Sequence, residues 1–281
     1  MTLTAREQSE IEAANASGQQ PIVFVHGLWL LANSWDGWRA WFGERGYATV
    51  APGWPDDPET VTEARLRPEV LAGKSVGQIT NHVAEAIGAL ARKPIVIGHS
   101  FGGLITQKLA GMGLSACSVA IDPAPFRGVL PLPISALRSA FPVLGKPSNR
   151  KKAVMLTAEQ FRYGFTNEVP DAEAAELYAT YPVPGAGVPL FQAAFANFNP
   201  KTEASVDLHQ RDRGPLLIVS GERDHTVPWA IANASFKKQR RSVSPTEIIE
   251  MKGRGHSLVI DSGWTEVAET ALAFIAKAGL A

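Results

Sequence analysis

Continuous apolar stretches alternate with stretches of helical periodicity along most of the chain. Runs rich in apolar and β-branched residues occupy positions 21–25, 47–51, 95–97, 118–122, 215–220 and 246–251. Such runs are typical of strands that are buried on both faces of a parallel sheet. Between them apolar residues recur every three or four positions, as at Val76, Ile79 and Val83, which predicts helices with one buried face. The pattern predicts an α/β fold: a doubly wound, mostly parallel sheet of about six strands.

The chain begins with helix-forming residues and not with a strand. Residues 4–17 are rich in Ala and Glu and are followed by Gly18, which predicts a short helix or arm. The first predicted strand starts only at Pro21, so an antiparallel hairpin has no room in front of it. We therefore expect every strand of the sheet to be parallel.

The alternation stops between Pro123 and about Asp212. This segment is rich in proline and shows short helical patterns, but it contains no convincing strand. We therefore predict one core domain, formed by residues 1–122 and 213–281, with a helical insertion at 123–212.

The charge balance limits the classes of partner. The 27 basic and 27 acidic residues cancel and are scattered along the chain, so we expect neither nucleic acid nor a membrane as a partner. The amino-terminal residues are polar and no apolar run is long enough to span a bilayer, which favours a cytoplasmic protein. The single cysteine, Cys117, excludes an intrachain disulfide and a cysteine-based metal site. No pattern in the sequence indicates an oligomeric state.

Residues 95–105 join a predicted strand to a predicted helix through a serine flanked by glycines. The motif is Gly98-x-Ser100-x-Gly102. A serine in a sharp strand-to-helix turn needs small residues two positions away on either side, because the backbones approach closely there. Such a turn exposes the hydroxyl and places the N–H of Phe101 at a helix N-terminus, where unpaired donors favour an oxyanion.

A serine hydroxyl is a weak nucleophile at neutral pH and needs an adjacent base. Of the six histidines, only His256 lies in a glycine-rich loop after the last predicted strand. Because the carboxyl ends of parallel strands meet at one edge of the sheet, Ser100 and His256 can meet although they are far apart in sequence.

The base in turn needs an acid that orients it and stabilises its charged form. Asp224 follows the predicted strand 215–220 and is the leading candidate. Asp122 also ends a strand, Asp261 lies close to His256 in sequence, and Glu222 is a weaker rival, so the acid is open at this point.

These motifs resemble those of the α/β-hydrolase superfamily, in its serine hydrolase branch with a helical cap. The resemblance rests on the serine motif at 98–102, on a His-Gly pair at 26–27 after the first strand, and on the chain order Ser, Asp, His. It implies that Ser100 is the nucleophile, His256 the base and Asp224 the acid. It implies no metal and no organic cofactor.

The resemblance also implies roles for the loops around the serine. The backbone N–H of Leu28, with Trp29 as the alternative donor, would join that of Phe101 in an oxyanion hole. The insertion at 123–212 would form a helical cap over the site. Its substrate contacts cannot be sorted by pattern, and we expect Trp29, Phe126 and Phe161 to contribute.

The activity implied is hydrolysis of a carboxylic ester or lactone through an acyl-enzyme, on a small to medium apolar substrate. Serine at position 100 argues against epoxide hydrolases and haloalkane dehalogenases, whose nucleophile is a carboxylate. The alternatives on the same fold are a cofactor-free lyase or a perhydrolase or acyltransferase that uses His256 as general base. A binding module with an unused triad is a third reading, although no triad position is lost.

Overall fold

A computed structural model describes residues 2–280 of the chain. Its strands are β1 (Gln20–Val25), β2 (Tyr47–Val50), β3 (Ile95–His99), β4 (Cys117–Ile121), β5 (Ala153–Val154), β6 (Gly185–Ala186), β7 (Leu216–Gly221) and β8 (Thr246–Met251). Its α-helices are α1 (Ala5–Ser17), α2 (Asp36–Gly43), α3 (Val61–Leu66), α4 (Val76–Gly88), α5 (Phe101–Gly111), α6 (Ile134–Leu144), α7 (Ala158–Gly164), α8 (Asp171–Thr180), α9 (Gly187–Ala194), α10 (Trp229–Gln239) and α11 (Trp264–Lys277). Four 3₁₀ turns lie at Ala32–Trp35, Pro68–Leu71, Pro147–Lys151 and Ala196–Phe198.

The central sheet has six strands in the order β2-β1-β3-β4-β7-β8, and every neighbouring pair is parallel. All residues of β3, β4 and β7 are buried, whereas the edge strands β2 and β8 are partly exposed. Helices flank the sheet, and α1 stands where a hairpin would have preceded β1. The predicted fold class, with about six strands and no amino-terminal hairpin, is confirmed.

The strand order reverses direction between β1 and β3. From β1 the chain moves outward to β2, crosses back to β3, and then adds strands in the opposite direction. In open parallel sheets, functional sites lie at the carboxyl ends of the strands beside such a switch point. Ser100 directly follows β3 and therefore lies at this point.

Helix starts follow the local signals in the sequence. Helix α4 begins at a capping box: the side chain of Ser75 accepts from the N–H of Gln78, and the Gln78 side chain accepts from the N–H of Ser75. The proline-containing segment 52–73 includes α3. That helix begins at a second capping box, between Thr60 and Glu63, which outweighs the prolines around it. Within residues 2–280, no helix combines the length and the apolar character that a transmembrane span needs.

The insertion between β4 and β7 contains α6 to α9 and also a two-stranded antiparallel sheet. In that sheet, β5 and β6 pair Ala153 with Ala186 and Val154 with Gly185. The prediction of no strand in this segment was therefore wrong, because two-residue strands are too short to show an alternating pattern. The division into a core and a cap stays a prediction, and the outer ends of the predicted core, residues 1 and 281, lie outside the described residues.

A buried carboxylate holds α1 against the sheet and against α4. Oε1 of Glu7 accepts from Nε2 of His82, at 2.9 Å, and from the N–H of Gly53, at 3.0 Å. Oε2 accepts from the N–H of Thr4 at 2.8 Å. Burial by itself would raise the pKa of Glu7, but the hydrogen bonds from His82 and Thr4 outweigh it and lower this pKa to about 2. The ionised form of Glu7 therefore stabilises the fold.

We expect Glu7→Gln to lower the free energy of unfolding near pH 7 by roughly 1–3 kcal/mol, because buried hydrogen-bond donors lose a charged acceptor. The lowered pKa means that the contribution of Glu7 is complete above its ordinary value of 4.5 and is lost as the pH falls towards about 2. Urea denaturation across this range should show the difference between parent and variant shrinking with falling pH. Glu12→Gln, on the exposed face of α1, serves as the control. A difference that stays constant with pH would contradict the role of the ionised carboxylate.

Candidate active site

Ser100 lies in a backbone turn that only small neighbours permit. Its φ of 56° and ψ of −118° place this non-glycine residue in a strained region. A Cβ at Gly98 would lie 2.2 Å from the carbonyl oxygen of Gly102, and a Cβ at Gly102 would lie 2.0 Å from that of Val25. The N–H of Ser100 donates to the carbonyl of Ile121 at 2.9 Å, which ties the turn to the end of β4. The two glycines therefore let β3, α5 and β1 approach closely enough to form the turn.

The structure brings Ser100, His256 and Asp224 into one hydrogen-bonded chain. Nε2 of His256 lies 3.1 Å from Oγ of Ser100, and Nδ1 lies 2.6 Å from Oδ2 of Asp224. All three residues are buried, with at most 4% of each exposed. Because a carboxylate can only accept, Nδ1 carries the proton and Nε2 is free to accept from the serine hydroxyl.

Two backbone groups hold Asp224 in this orientation. Its Oδ1 accepts from the N–H of Thr226, at 2.6 Å, and from the N–H of Val227, at 2.9 Å. Oδ2 is thereby directed at His256. The loop after β7 therefore positions the acid.

Asp122, the main rival acid, lies close to the same imidazole without a hydrogen bond to it. Its Oδ1 accepts from the N–H of Gly221 at 2.8 Å, while Oδ2 is 3.8 Å from Nδ1 of His256. Burial, together with the charge of the neighbouring Asp224, raises the pKa of Asp122 well above its ordinary value. The neutral form of the Asp122 carboxyl group is thereby favoured.

The two other candidate acids are engaged elsewhere. Asp261 accepts from the guanidinium of Arg254 and from the hydroxyl of Ser257. Glu222 is bonded by Lys252 and by the N–H of Gly253 near the surface. Neither hydrogen-bonds to His256 in the described part of the chain, so Asp224 alone fills the predicted position of the acid.

His99, His256 and Asp122 also form the one cluster in residues 2–280 that offers three metal-ligand atoms within 4.8 Å of one another. Both ring nitrogens of His256 are already within hydrogen-bond distance of other side chains, and Nε2 of His99 donates to the carbonyl of His256 at 2.9 Å. Burial and the neighbouring His256 lower the pKa of His99 well below its ordinary value. A metal ion would have to break this network, so the cluster fits support of the imidazole better than metal binding.

The loop after β1 lies against the serine turn. A Cβ at Gly27 would lie 2.9 Å from both the carbonyl oxygen of His99 and the Cβ of Ser100. His26 supports the loop: its ring stacks on Trp54 and lies 3.0 Å from the carboxylate of Asp57. The histidine of the His-Gly pair therefore has a positional role.

Two backbone N–H groups beside Ser100 are free to bind an anion. These belong to Phe101, the first residue of α5, and to Leu28, and neither donates to an acceptor within residues 2–280. The side chain of Trp29 donates through Nε1 to the carbonyl of Val154 at 2.9 Å, which joins this loop to the insertion. That the N–H groups of Phe101 and Leu28 form an oxyanion hole stays a prediction.

An apolar cavity of about 350 Å³ opens beside Ser100. Its walls include Trp29 and Phe101 from the core, Leu137 from α6 and Leu190 from α9. No charged side chain lies among its described lining residues. The cavity is therefore suited to an uncharged, apolar group.

Of the three predicted substrate contacts, the structure brings only Trp29 to the cavity. Phe126 is buried outside its lining. Phe161 is also buried and stacks on Phe165, whose ring contacts that of His256. A role of Phe126 and Phe161 as substrate contacts stays a prediction that the lining of this cavity does not support, because the sequence shows that an aromatic side chain is apolar and not which surface it faces.

Comparisons with known proteins agree with this geometry. A model of the Alpha/beta hydrolase family matches residues 22–270. The chain belongs to the alpha/beta hydrolase family. No curated protein matches it in sequence.

Solved structures share the fold of this alpha/beta hydrolase at low sequence identity. The monoacylglycerol lipase of Paleococcus ferrophilus is 19% identical, with a TM-score of 0.64 over 93% of this chain and 96% of that chain. A pyrethroid hydrolase from Sphingobium faniae JZ-2 is 17% identical, with a TM-score of 0.65 over 92% and 97%. An extracellular alpha/beta-hydrolase from a Paenibacillus species is 20% identical, with a TM-score of 0.65 over 90% and 98%. These likenesses show the fold.

Sequence reasoning missed the walls that the insertion contributes to this alpha/beta hydrolase cavity. They include Ala140, Leu144 and Ala193, on α6 and α9. The helical period of these segments indicates that one face of each is apolar. It does not indicate whether that face meets the core, the cavity or the surface.

We expect Gly102→Ala to destabilise this alpha/beta hydrolase by roughly 1–3 kcal/mol or more, because its Cβ would overlap the backbone of β1. Gly88→Ala is the matched control, since a Cβ there meets nothing within 4 Å. The control should raise stability by roughly 0.4–1 kcal/mol. Urea denaturation measures both variants, and equal stabilities for the two would contradict the close approach at the turn.

Proposed function

We propose that this alpha/beta hydrolase is a serine hydrolase that cleaves a carboxylic ester or lactone through an acyl-enzyme. The observation that supports this most directly is the continuous hydrogen-bonded chain from Ser100 through His256 to Asp224. It provides a nucleophile, a base and an orienting acid in the order that acyl transfer requires.

The reaction would begin with transfer of the Ser100 hydroxyl proton to Nε2 of His256 as Oγ attacks the ester carbonyl carbon. Asp224 stabilises the imidazolium that forms. Collapse of the tetrahedral intermediate breaks the bond to the leaving alkoxide, which takes the proton from Nε2. Water then attacks the acyl-enzyme with the same base, and this releases the acid and restores the serine.

The N–H groups of Phe101 and Leu28 would bind the oxygen that becomes negative during each attack. A single donor of this kind is typically worth about 2.7–4 kcal/mol of transition-state stabilisation. The strained turn at Ser100 and the close contact of Gly27 with Ser100 support this role, because Phe101 directly follows Ser100 and Leu28 directly follows Gly27.

The substrate would be a small to medium apolar ester. The apolar cavity of about 350 Å³ beside Ser100 supports this size and polarity. The names of two proteins with the same fold, a monoacylglycerol lipase and a pyrethroid hydrolase, also favour hydrolysis.

Labelling with a fluorophosphonate tests the proposed nucleophile. We expect the parent protein to be modified once, at Ser100, and to hydrolyse short chromogenic esters, because His256 can accept the hydroxyl proton. Ser100→Ala should abolish both. Ser139→Ala is the matched control, since Ser139 lines the same cavity and hydrogen-bonds to Thr226.

If the parent protein is folded but is not labelled, the proposal is contradicted, and a binding module without catalytic activity is the remaining interpretation. Labelling without turnover of any ester, lactone or amide would favour the alternatives on this fold: a cofactor-free lyase, or a perhydrolase or acyltransferase. Mass spectrometry of the labelled protein and a substrate panel separate these outcomes.

The two neighbouring carboxyl groups allow the acid to be tested. We expect Asp224→Asn to lower kcat/KM by up to about 10⁴-fold, because an amide cannot hold the required imidazole tautomer. Asp122→Asn should keep activity within about tenfold, because an amide resembles a protonated carboxyl group in shape and charge. Steady-state kinetics on the best ester measures both, and the reverse ranking would make Asp122 the acid.

A further inference from the structure

Exposed apolar side chains are concentrated on one face of the insertion. Of the eleven large apolar side chains that are exposed in the described chain, seven lie within residues 130–141 or 195–198. Ile134, Phe141 and Phe198 are 84%, 70% and 84% exposed. We call these two segments the apolar face.

The two segments of the apolar face surround one opening. Leu132 and Leu137 from the first segment and Phe195 and Phe198 from the second all line the cavity that contains Ser100. Helices α6 and α9, which carry or precede these residues, contact each other. A contiguous exposed apolar surface around a cavity mouth is typical of a place where an apolar partner binds.

A group of unpaired cations adjoins the apolar face. A cleft of about 1010 Å³ is lined by Arg150, Lys151, Lys152 and Lys201, and Phe195 lines both this cleft and the active-site cavity. All four cations are exposed, and none forms an ion pair within residues 2–280. We call these four residues the cationic flank.

The one carboxylate that lines this cleft does not neutralise the cationic flank. Oε2 of Glu203 accepts from the N–H of Gly77, at 2.9 Å, and from the side chain of Gln192, at 2.7 Å. The nearby charge of Lys108 also stabilises its ionised form. With four cations and only this one carboxylate among its lining residues, the cleft keeps a net positive charge that an external anion can meet.

We propose that the apolar face and the cationic flank together dock on an anionic lipid bilayer. The apolar side chains would enter the interface while the four cations contact phosphate headgroups, the combination that surface-binding proteins use. The sequence analysis predicted no membrane partner because basic and acidic residues balance and are scattered along the chain. The fold nevertheless brings Lys201 into one cleft with the cations at 150–152. If the proposed function is also correct, the cavity mouth would open directly towards lipid-soluble esters.

Co-sedimentation with lipid vesicles tests the docking surface. The assay uses Ser100→Ala, so that no lipid is hydrolysed and binding is measured independently of the proposed function. We expect binding to vesicles of phosphatidylcholine with phosphatidylglycerol, much weaker binding to phosphatidylcholine alone, and a decrease as salt is raised, because salt screens surface charges.

Removing two charges from the flank tests its contribution. In the Ser100→Ala protein, the double substitution Lys151→Gln with Lys201→Gln should lower partitioning onto anionic vesicles roughly 30-fold. Each cation near the membrane surface raises the partition coefficient about fivefold. The control is Arg92→Gln with Arg211→Gln. These exposed cations precede β3 and β7 and so lie at the opposite edge of the sheet.

Removing apolar surface tests the apolar face. Ile134→Ser with Phe198→Ser should lower binding at least tenfold, whereas Leu66→Ser with Val243→Ser, which changes equally exposed side chains outside the face, should not. Equal binding to neutral and anionic vesicles, or equal losses in the controls, would overturn the proposal. So would sedimentation analysis showing a dimer that Ile134→Ser with Phe198→Ser dissociates, because a second copy would then cover the face.

Discussion

The close approach of the turn at residues 98–102 to the ends of β1 and β4 is the constraint on which the site depends. With no Cβ at Gly98 or Gly102, α5 starts directly against the sheet, and the strained backbone of Ser100 is held by its bond to Ile121. The same contact brings the loop at Gly27 against the serine. Backbone sterics, and not flexible side chains, thus bring the proposed nucleophile close to the loop and the helix start that carry the proposed anion donors.

The two neighbouring carboxyl groups beside His256 have different surroundings, which affect their protonation differently. Asp224 receives two backbone N–H groups and the imidazole, which together stabilise its charge. Asp122 receives one backbone N–H, and its buried position beside Asp224 favours the neutral form. Two ionised carboxylates at this distance in a dry site would repel each other strongly. Burial and the neighbouring Asp224 raise the pKa of Asp122, which has fewer hydrogen-bond donors than Asp224.

The insertion connects this site to the outside of the molecule. Trp29 joins it to the loop after β1 through Val154, while α6 and α9 supply cavity walls that no core strand can reach. Helix α6 carries part of the apolar face, and α9 directly precedes the rest of it. The same segments therefore shape both the cavity and the surface around its mouth. Under the proposed function, the core would supply the chemistry and the insertion would contribute to substrate recognition.

Local patterns determined much of this protein: six parallel strands, the turn at Ser100, and the candidates His256 and Asp224 after later strands. These could be predicted because strand burial, capping and glycine sterics act between residues close in sequence. Tertiary structure alone decided three other features. It placed Asp224, and not Asp122, within hydrogen-bond distance of the imidazole. It left Phe161 outside the lining of the cavity, and it brought Lys201 to the cations at 150–152. Each depends on distances between residues far apart in the chain, which packing sets and no short pattern encodes.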